Sequence, residues 1–456
     1  MIGKDDIAVR GRNASVRALD SWRTYLRERV LDHFRSGLLH NASWMLGGRV
    51  FQLAGRITYF VIIAHVLGPV GYGTYVACTA LLTAISPFSV FGTADVMTKY
   101  AARDRSVLPY YFGNALLVTT GFGVLLTLVA LLIRPVVVPS GVSVSLLLSV
   151  AIAEFLGSQM TAICAQVFLA LEEARRHAQL LTWSVALRVC AALALAASAH
   201  TPLNWAYLYA GAAVIATIGG FVAVCWCCAP PRFRLNLLVP SLREGFHFAT
   251  STATQTVYND IDKVMLARLS TVEATAIYAV AYRFIEAAMI PIYSVAAATY
   301  PEFFRRGMSG VSSAFGFART IIRRSVLYGT AAAAALFLGA GLVPLIMGRA
   351  YAESTVALRW ICLLAVLKSV HSFLTDTLTG ADQQWQRSAA QFAVALFNVL
   401  VNLWIIRAFA WRGAAWSSLL TDVLLMVLLY LIIRFHVRRE KAVDAAPQSL
   451  CTSQGE

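Results

Sequence analysis

Apolar residues occur in runs of about 20 along nearly the whole chain, and short polar connectors separate these runs. An α-helix of that length crosses a hydrocarbon layer of about 30 Å. The pattern therefore predicts an all-α polytopic membrane protein. Charge clusters, glycines and prolines divide the sequence into twelve predicted spans, near residues 43–67, 73–100, 110–133, 143–170, 178–199, 204–228, 246–269, 274–300, 325–347, 354–379, 388–409 and 413–435.

The composition also indicates a membrane protein. Hydrophobic residues make up 59% of the 456 positions and charged residues 13%, whereas a soluble domain carries about 45 to 50% and about 25%. The formal net charge of +15 comes mostly from arginines in the connectors. Because basic connectors set the orientation of a membrane protein, we interpret this charge as topological and expect no nucleic acid partner.

The distribution of Lys and Arg predicts the orientation. If the N-terminus is cytoplasmic, 25 of the 38 Lys and Arg residues fall in inner segments and 5 in outer connectors. This bias follows the positive-inside rule, and an even number of spans returns the chain to its starting side. We therefore expect a multi-pass protein of the bacterial cytoplasmic (inner) membrane, with both termini in the cytoplasm.

Five segments are predicted along the chain. They are a basic cytoplasmic tail at 1–42, an N-terminal six-helix bundle at 43–228, a cytoplasmic linker at 229–245, a C-terminal six-helix bundle at 246–435 and a cytoplasmic tail at 436–456. A faint internal repeat favours two halves, because "AHVLGPVGYGTYVA" at 64–77 aligns with "ARLSTVEATAIYAVA" at 267–281. Transporters built from parallel repeats place their binding site between the halves.

The basic tail contains a helical pattern before the first span. Apolar residues recur there every three or four positions, with arginines between them, which is typical of a helix lying on anionic lipid headgroups. The alternative is an ordinary solvated tail. The apolar positions are Leu19, Trp22, Leu26, Val30, Phe34 and Leu38.

Charged side chains lie inside the predicted spans, although each costs at least about 2.5 kcal/mol when it faces lipid at the centre of a helix. So many charges predict a polar interior. The cations are Arg49, Arg56, Lys99, Arg188, Lys263, Arg283, Arg359 and Lys368. The anions are Asp95, Glu154, Asp260, Asp262, Glu286, Asp376 and Asp422.

Some of these charges can neutralise each other on one helix. Asp95 and Lys99 are four residues apart, and Arg283 and Glu286 are three apart, so each pair can meet on one helix face. We expect structural ion pairs at both places. Arg359 and Lys368, in contrast, have no obvious carboxylate three or four residues away.

The first span carries a polar stripe. Arg49, Gln52, Arg56 and Tyr59 fall on one helical face, and the span contains no acid. Arg56 lies about 18 Å into the membrane if the helix starts near residue 44. An anion-facing stripe is one interpretation, since guanidinium binds phosphate and carboxylate bidentately. The alternative is an ion pair with an acid on another helix. The candidate acids are Asp260, Asp262 and Glu154.

The seventh span, "FHFATSTATQTVYNDIDKVMLARLS", is the most polar. Tyr258 and Asp262 follow one face of this helix, and Lys263 lies alongside. A helix this polar cannot face lipid, so we expect it to line a cavity or a helix interface.

Enzymatic motifs are missing from the sequence. We find no GxxxxGK[ST] phosphate loop, no GxSxG and no HExxH. The "CWCC" cluster at 225–228 has no second ligand pair at a zinc-like spacing. We therefore expect neither an enzyme nor a metal site nor a bound cofactor.

Two regions resemble a known family. Residues 64–103, "AHVLGPVGYGTYVACTALLTAISPFSVFGTADVMTKYAAR", are similar to the "LGP..YG.Y" turn of the polysaccharide transporter (Wzx-type flippase) family in the multidrug/oligosaccharidyl-lipid/polysaccharide exporter superfamily. Residues 258–303 resemble that family's "D(K/R).(M/L)L......(G)IY..AYR" segment. The family glycine before the second "IY" is Ala276 here.

The resemblance implies two six-helix bundles around a V-shaped central cavity that opens alternately to each side. It also implies a cargo, an oligosaccharide repeat unit on polyprenyl diphosphate, flipped from the inner to the outer leaflet for O-antigen, capsule or exopolysaccharide assembly. Partners would be membrane lipids and possible polysaccharide polymerase and glycosyltransferase enzymes. The alternatives are a cation-coupled multidrug exporter of the same superfamily and a non-transporting scaffold.

From the residues we hypothesise a binding site for the diphosphate. The predicted anion-facing residues are Arg49, Gln52, Arg56, Tyr59, Tyr258, Lys263, Arg359 and Lys368. An H⁺ or Na⁺ gradient would drive transport. The candidates for binding the coupling ion are Glu154, Asp260 and Asp262.

Overall fold

The computed structural model describes residues 47–139, 142–228 and 230–451, and the side chains of these residues except 251 and 441–451. The amphipathic helix predicted within 1–42 lies outside these residues. The described chain is built from α-helices with short connectors.

The first group of helices runs from α1 to α8. The bounds are α1, Gly47–Ile85; α2, Pro87–Val90; α3, Thr93–Ala101; α4, Leu108–Val137; α5, Val144–Ala151; α6, Gln159–Ala170; α7, Ala174–Ala196; and α8, Pro202–Cys227. A π-helical turn, Ile152–Ser158, joins α5 to α6 without a break in the helix. Such turns insert one extra residue and occur often at functional sites.

The second group runs from α9 to α15. The bounds are α9, Leu238–Leu269; α10, Val272–Gly307; α11, Val311–Gly339; α12, Val343–Met347; α13, Ala352–Ile361; α14, Leu364–Gly380; and α15, Gln384–Cys451. Within α2 to α15, members of each group pack mainly on one another, and α9 also packs on α2, α3 and α4.

The described residues contain eight helices that are long and apolar enough to cross a membrane, or nine if the pair Arg349–Ile361 and Leu364–Gly380, bent by 49°, is one span. Two long helices contain a left-handed residue, Gly68 (φ 65°) in α1 and Ala410 (φ 50°) in α15, where the chain changes direction. α9 is not among these membrane-capable helices. The all-α membrane fold is therefore confirmed, while the count of twelve spans stays a prediction.

The helix ends define two faces of the molecule. We call one the linker face, because the connection between α8 and α9 lies there together with those between α3 and α4, α6 and α7, α10 and α11, and α14 and α15. The other is the opposite face. On the linker face Glu440 of α15 accepts hydrogen bonds from the backbone N–H groups of Val311 and Ser312, at 2.7 and 2.8 Å.

The two groups touch each other at the opposite face. The Tyr351 hydroxyl donates to the Ala64 carbonyl of α1 at 2.8 Å, and Arg268 Nε donates to the Val136 carbonyl at 2.8 Å. The backbones of Gly73 and Val272 come so close that a Cβ on Gly73 would lie 1.8 Å from the Val272 carbonyl oxygen. These contacts close the space between the groups at the opposite face.

At the linker face the groups meet through the first turns of α9. Lys99 of α3 forms an ion pair with Glu244 of α9 at 2.5 Å, and the Tyr100 hydroxyl donates to the same carboxylate at 3.2 Å. The predicted pair between Asp95 and Lys99 is therefore wrong. Asp95 is exposed, and the lysine reaches an acid far along the chain, which helical spacing within the second span cannot reveal.

Candidate functional site

The first helix presents three different sides. Gly48 and Gly55 face α7, where added Cβ atoms would lie 2.9 Å from Ala178 and 2.5 Å from Val185. Exposed apolar residues, Val50, Phe51 and Ile57, lie on a second side and suit contact with lipid. Arg49 and Arg56 follow the glycines by one position each, so they lie about 100° around the helix, on a third side away from the apolar one.

Both arginines of this stripe are exposed, whereas Gln52 and Tyr59 are half-buried. Among the described residues, no carboxylate lies within ion-pair distance of Arg49 or Arg56. The three acids considered as alternative partners lie against other groups. Their neighbours are Tyr209 for Glu154, Lys263 for Asp260, and Tyr278 for Asp262.

Tyr59 lies between charges of the two groups. Its side chain lies close to Arg188 of α7 and to Arg283 of α10. Arg283 and Glu286 form the predicted ion pair at 2.7 Å, which is confirmed. Their side chains are 53% and 40% exposed although they lie in a membrane-capable helix. Charged side chains this accessible cannot face lipid, so they line an open, water-accessible space.

A polar cluster in the first group surrounds the π-helical turn. Glu154 accepts a hydrogen bond from the Tyr209 hydroxyl at 2.7 Å. Arg188 donates to the Ser158 hydroxyl at 2.9 Å, and its guanidinium lies 5.2 Å from the centre of the Tyr209 ring. Arg188 also interacts electrostatically with Glu154. Tyr209 therefore contacts both the acid and the cation.

The second group contains a larger buried cluster on α9 and α10. Lys263 pairs with Asp260 at 2.5 Å, and its ammonium lies 4.3 Å from the centre of the Tyr282 ring. Asp262 accepts hydrogen bonds from the hydroxyls of Tyr278, at 2.5 Å, and Ser418, at 3.2 Å. The polar seventh span thus lines a helix interface, one of the two environments that its composition predicts.

Lys368 has a partner that the sequence does not reveal. Its ammonium lies 3.5 Å from the Asp422 carboxylate of α15, and both side chains are buried. The Tyr258 hydroxyl donates to the same carboxylate, and His371 lies 3.9 Å from it. The absence of a carboxylate near Lys368 on its own helix is correct, but the acid comes from another helix. Lys368 is therefore already neutralised.

Among the acids of this cluster, which lie on α9, α10 and α15, one has no cation of its own. Lys263 is paired with Asp260, Lys368 with Asp422, and Arg283 with Glu286. Asp262 is buried and is held by two hydroxyls and the backbone N–H of Lys263, at 2.8 Å. A buried net charge is costly, so this cluster suits binding of one proton or one monovalent cation.

The structure brings together some of the predicted site residues and not others. Tyr258 and Lys368 meet at Asp422, and Lys263, Asp260 and Asp262 share one turn of α9. Arg359 stays apart. It is exposed, its guanidinium lies 5.6 Å from the centre of the Phe337 ring, and no carboxylate of the described residues pairs with it.

Sequence reasoning missed several residues of the site. The sequence places Arg188 and Asp422 as charges inside predicted spans, but nothing in their spacing shows which helix each side chain faces. Tyr278 and Tyr282 lie in an apolar segment, so the sequence does not distinguish them from ordinary core residues. Only the polar residues of α9, which lie opposite them, indicate that hydrogen-bonding partners are needed there. Among the described residues no group of three potential ligands suits a metal ion.

Solved transporters share this fold. An inward-facing multidrug resistance MATE family transporter of the MOP superfamily has a TM-score of 0.70 at 15% identity, covering 86% of this chain and 96% of its own. The lipid II flippase MurJ in an inward closed conformation has a TM-score of 0.67 at 11% identity, covering 87% of each chain. An outward-facing MATE transporter gives 0.59 at 15% identity, covering 89% and 96%.

These neighbours are transporters and a flippase, not enzymes. Because their sequence identities to this chain are low, the structural similarity establishes only the fold. No curated protein matches the sequence significantly. A family profile described as "Polysaccharide biosynthesis protein" matches residues 38–306, which is more than half of the chain. The match agrees with the resemblance of the sequence to polysaccharide transporters. The chain belongs to the polysaccharide biosynthesis protein family, and its fold is similar to the folds of the MATE and MurJ structures.

Proposed function

We propose that this protein flips polyprenyl-diphosphate-linked oligosaccharide repeat units from the inner to the outer leaflet of the bacterial cytoplasmic membrane, by alternating access. Both termini are cytoplasmic in this proposal, so the linker face is the inner face. The flipped units then serve O-antigen, capsule or exopolysaccharide assembly, where polymerase and glycosyltransferase enzymes act on either side of the step.

The observation that carries the proposal is the arginine stripe of α1. Arg49 and Arg56 lie on the side of the helix that faces neither α7 nor lipid, and no described carboxylate neutralises them. A diphosphate that leaves water needs fixed cations, and guanidinium matches phosphate geometry with two parallel hydrogen bonds. A cationic drug would be repelled by the same pair.

The second half of the proposed path is the accessible ion pair of Arg283 and Glu286, and Tyr59 of the first helix lies close to Arg283. Lys263 and Lys368 are not assigned to the diphosphate, because each is paired with an acid. The accessible charges between the groups support a cavity there, which opens to the linker face at one stage of the proposed cycle. This is the side from which a cytoplasmic cargo enters.

An ion gradient would drive the return step. We assign Asp262 as the acid that binds the coupling ion, H⁺ or Na⁺, because it is the buried carboxylate without its own cation. Asp260 is neutralised by Lys263, and Glu154 lies beside Arg188. Two of the three candidate acids are therefore disfavoured by their surroundings.

The test is complementation of a deletion strain with Arg56→Gln. We expect surface polysaccharide to fall at least tenfold and lipid-linked repeat units to accumulate at the cytoplasmic face, at an unchanged level of membrane-inserted protein. The control is Arg323→Gln, which removes the same charge from an exposed position on α11. Wild-type export by the Arg56 variant would contradict the diphosphate site.

The same strain separates the alternatives. A multidrug exporter predicts that deletion lowers resistance to cationic drugs and leaves surface polysaccharide unchanged. A scaffold predicts that Arg56→Gln and Arg323→Gln behave alike. Either result would reject the flippase proposal.

A further inference from the structure

The segment between the two helical groups is held firmly against α4. We call residues 230–237 the strap. The backbone N–H of Arg232 donates to the Pro109 carbonyl at 2.9 Å. The Asn114 side chain, which is buried, bonds both backbone groups of Arg234: its amide donates to the carbonyl at 2.9 Å, and its oxygen accepts from the N–H at 3.2 Å. These hydrogen bonds fix the backbone of the strap on α4.

The way the strap is held determines where its side chains point. The backbone groups of Arg232 and Arg234 both face α4, and the backbone at Arg234 is extended. Side chains alternate between two sides of an extended chain. Arg232 and Arg234 therefore share one side, where the Arg234 guanidinium lies 5.8 Å from the centre of the Tyr110 ring. Phe233 takes the other side, and Leu235 begins the 3₁₀ turn that follows.

Those other residues are exposed although they are large and apolar. Phe233 is 62% exposed and Leu235 is 66% exposed. Just before the strap, Trp226 in the last turn of α8 is 88% exposed. Tryptophan beside apolar residues at the end of a membrane-capable helix marks the boundary between headgroups and acyl chains. The apolar side of the strap is therefore placed to enter a lipid layer.

Among the described residues, neither Arg232 nor Arg234 forms an ion pair. Glu244, the acid nearest to the strap in the sequence, is paired with Lys99. Two guanidiniums on one side with no carboxylate complement a phosphate group.

We propose that the strap is a binding site for an anionic phospholipid. Arg232 and Arg234 bind the headgroup phosphate, and the Tyr110 ring lies beside the Arg234 guanidinium. Phe233 and Leu235 insert among the acyl chains. Because the strap connects the two groups and is fixed to α4, a bound lipid stabilises the junction between α4 and α9. This site is separate from the arginine stripe of α1 and does not depend on the cargo.

The experiment measures the melting temperature of the purified full-length chain in neutral detergent, with added phosphatidylglycerol or phosphatidylcholine. We expect phosphatidylglycerol to raise the melting temperature by several degrees more than phosphatidylcholine does. The double variant R232Q/R234Q should lose at least half of this difference. The control R323Q/R324Q removes two exposed charges from α11 and should keep it.

A second variant and a second ligand make the test decisive. Phe233→Ser leaves both charges in place and should also reduce the effect of phosphatidylglycerol, because the acyl contact is lost. Inorganic phosphate should give no comparable stabilisation. An equal effect of inorganic phosphate would show a site for soluble anions, and an equal loss in R323Q/R324Q would show charge attraction in general. If R232Q/R234Q does not fold, Phe233→Ser decides. Each of these contrary results would overturn the proposal. A Phe233→Ser variant that keeps the full stabilisation by phosphatidylglycerol would overturn it too.

Discussion

The Lys368 ammonium of α14 lies 3.5 Å from the Asp422 carboxylate of α15, and both side chains are almost completely buried. The two residues are 54 positions apart in the sequence. Rings of Tyr258 and Tyr282, each with its centre 5.6 Å from the ammonium, complete its surroundings. A buried pair of this kind is costly to break from one side only, because the remaining charge stays buried.

We therefore expect Lys368→Met and Asp422→Asn each to lower the free energy of unfolding by about 3 to 5 kcal/mol. The double variant K368M/D422N should be more stable than the sum of the single changes predicts, because it leaves no lone charge. Denaturant unfolding in detergent measures all three. Additive losses would show that the two side chains do not interact.

The junction of α3 and α9 depends on two glycines. An added Cβ on Gly245 would lie 2.2 Å from the Phe91 carbonyl oxygen, and Gly92 opposite it has a left-handed backbone (φ 68°). We expect Gly245→Ala to cost about 1 to 3 kcal/mol, because backbone atoms must move apart. The matched control is Gly121→Ala, since nothing lies within 4 Å of a Cβ there. Equal melting temperatures of the two variants would contradict this close approach.

The same junction should depend on pH. Glu244 lies at the linker-face end of α9, outside the predicted span 246–269, and its hydrogen bond from Lys99 lowers the pKa of its carboxyl group. A carboxyl group with a lowered pKa in the folded state stabilises the fold above its unfolded pKa, and this contribution disappears as the pH falls through the folded pKa.

Glu244→Gln should therefore lower the melting temperature at pH 7, and this difference should shrink as the pH falls from 4.5 through the lowered folded pKa. Melting curves of the wild type and the variant across this range provide the measurement. The expected difference is small, because both side chains are partly exposed to water. A difference that grows towards low pH would have the wrong sign for this ion pair.

Glu440 provides a cap for a helix far from it in sequence. Its two carboxylate oxygens accept from the N–H groups of Val311 and Ser312 at the start of α11. We expect Glu440→Ala to cost about 1 kcal/mol, through the lost cap and the lost charge at a helix N-terminus. Hydrogen exchange at these two amides should accelerate, while the amides in the middle of α11 keep their protection. Unchanged exchange would contradict the cap.

The sequence predicts the fold well and the site partly, and particular residues explain the difference. Apolar runs require membrane helices wherever they occur, so the all-α fold follows from composition and period. The pair of Arg283 and Glu286 is local and is predictable from helical spacing. The partners of Lys99 and Lys368 come from other helices, and packing of one helix on another leaves no periodic signal in a single sequence.

Two neighbouring acids of α9 should respond differently to neutralisation. Asp260 forms the ion pair with the buried Lys263, so Asp260→Asn breaks a pair with a buried cation and should destabilise the protein by several kcal/mol. Asp262 has no cation of its own, and an asparagine oxygen can still accept from the Tyr278 hydroxyl. Asp262→Asn should therefore keep the wild-type melting temperature but lose the dependence of flipping on the ion gradient. Reconstituted vesicles with an imposed pH or Na⁺ gradient measure that dependence. Gradient-driven flipping by a stable Asp262→Asn variant would remove this residue from the coupling step and leave the arginine stripe untouched.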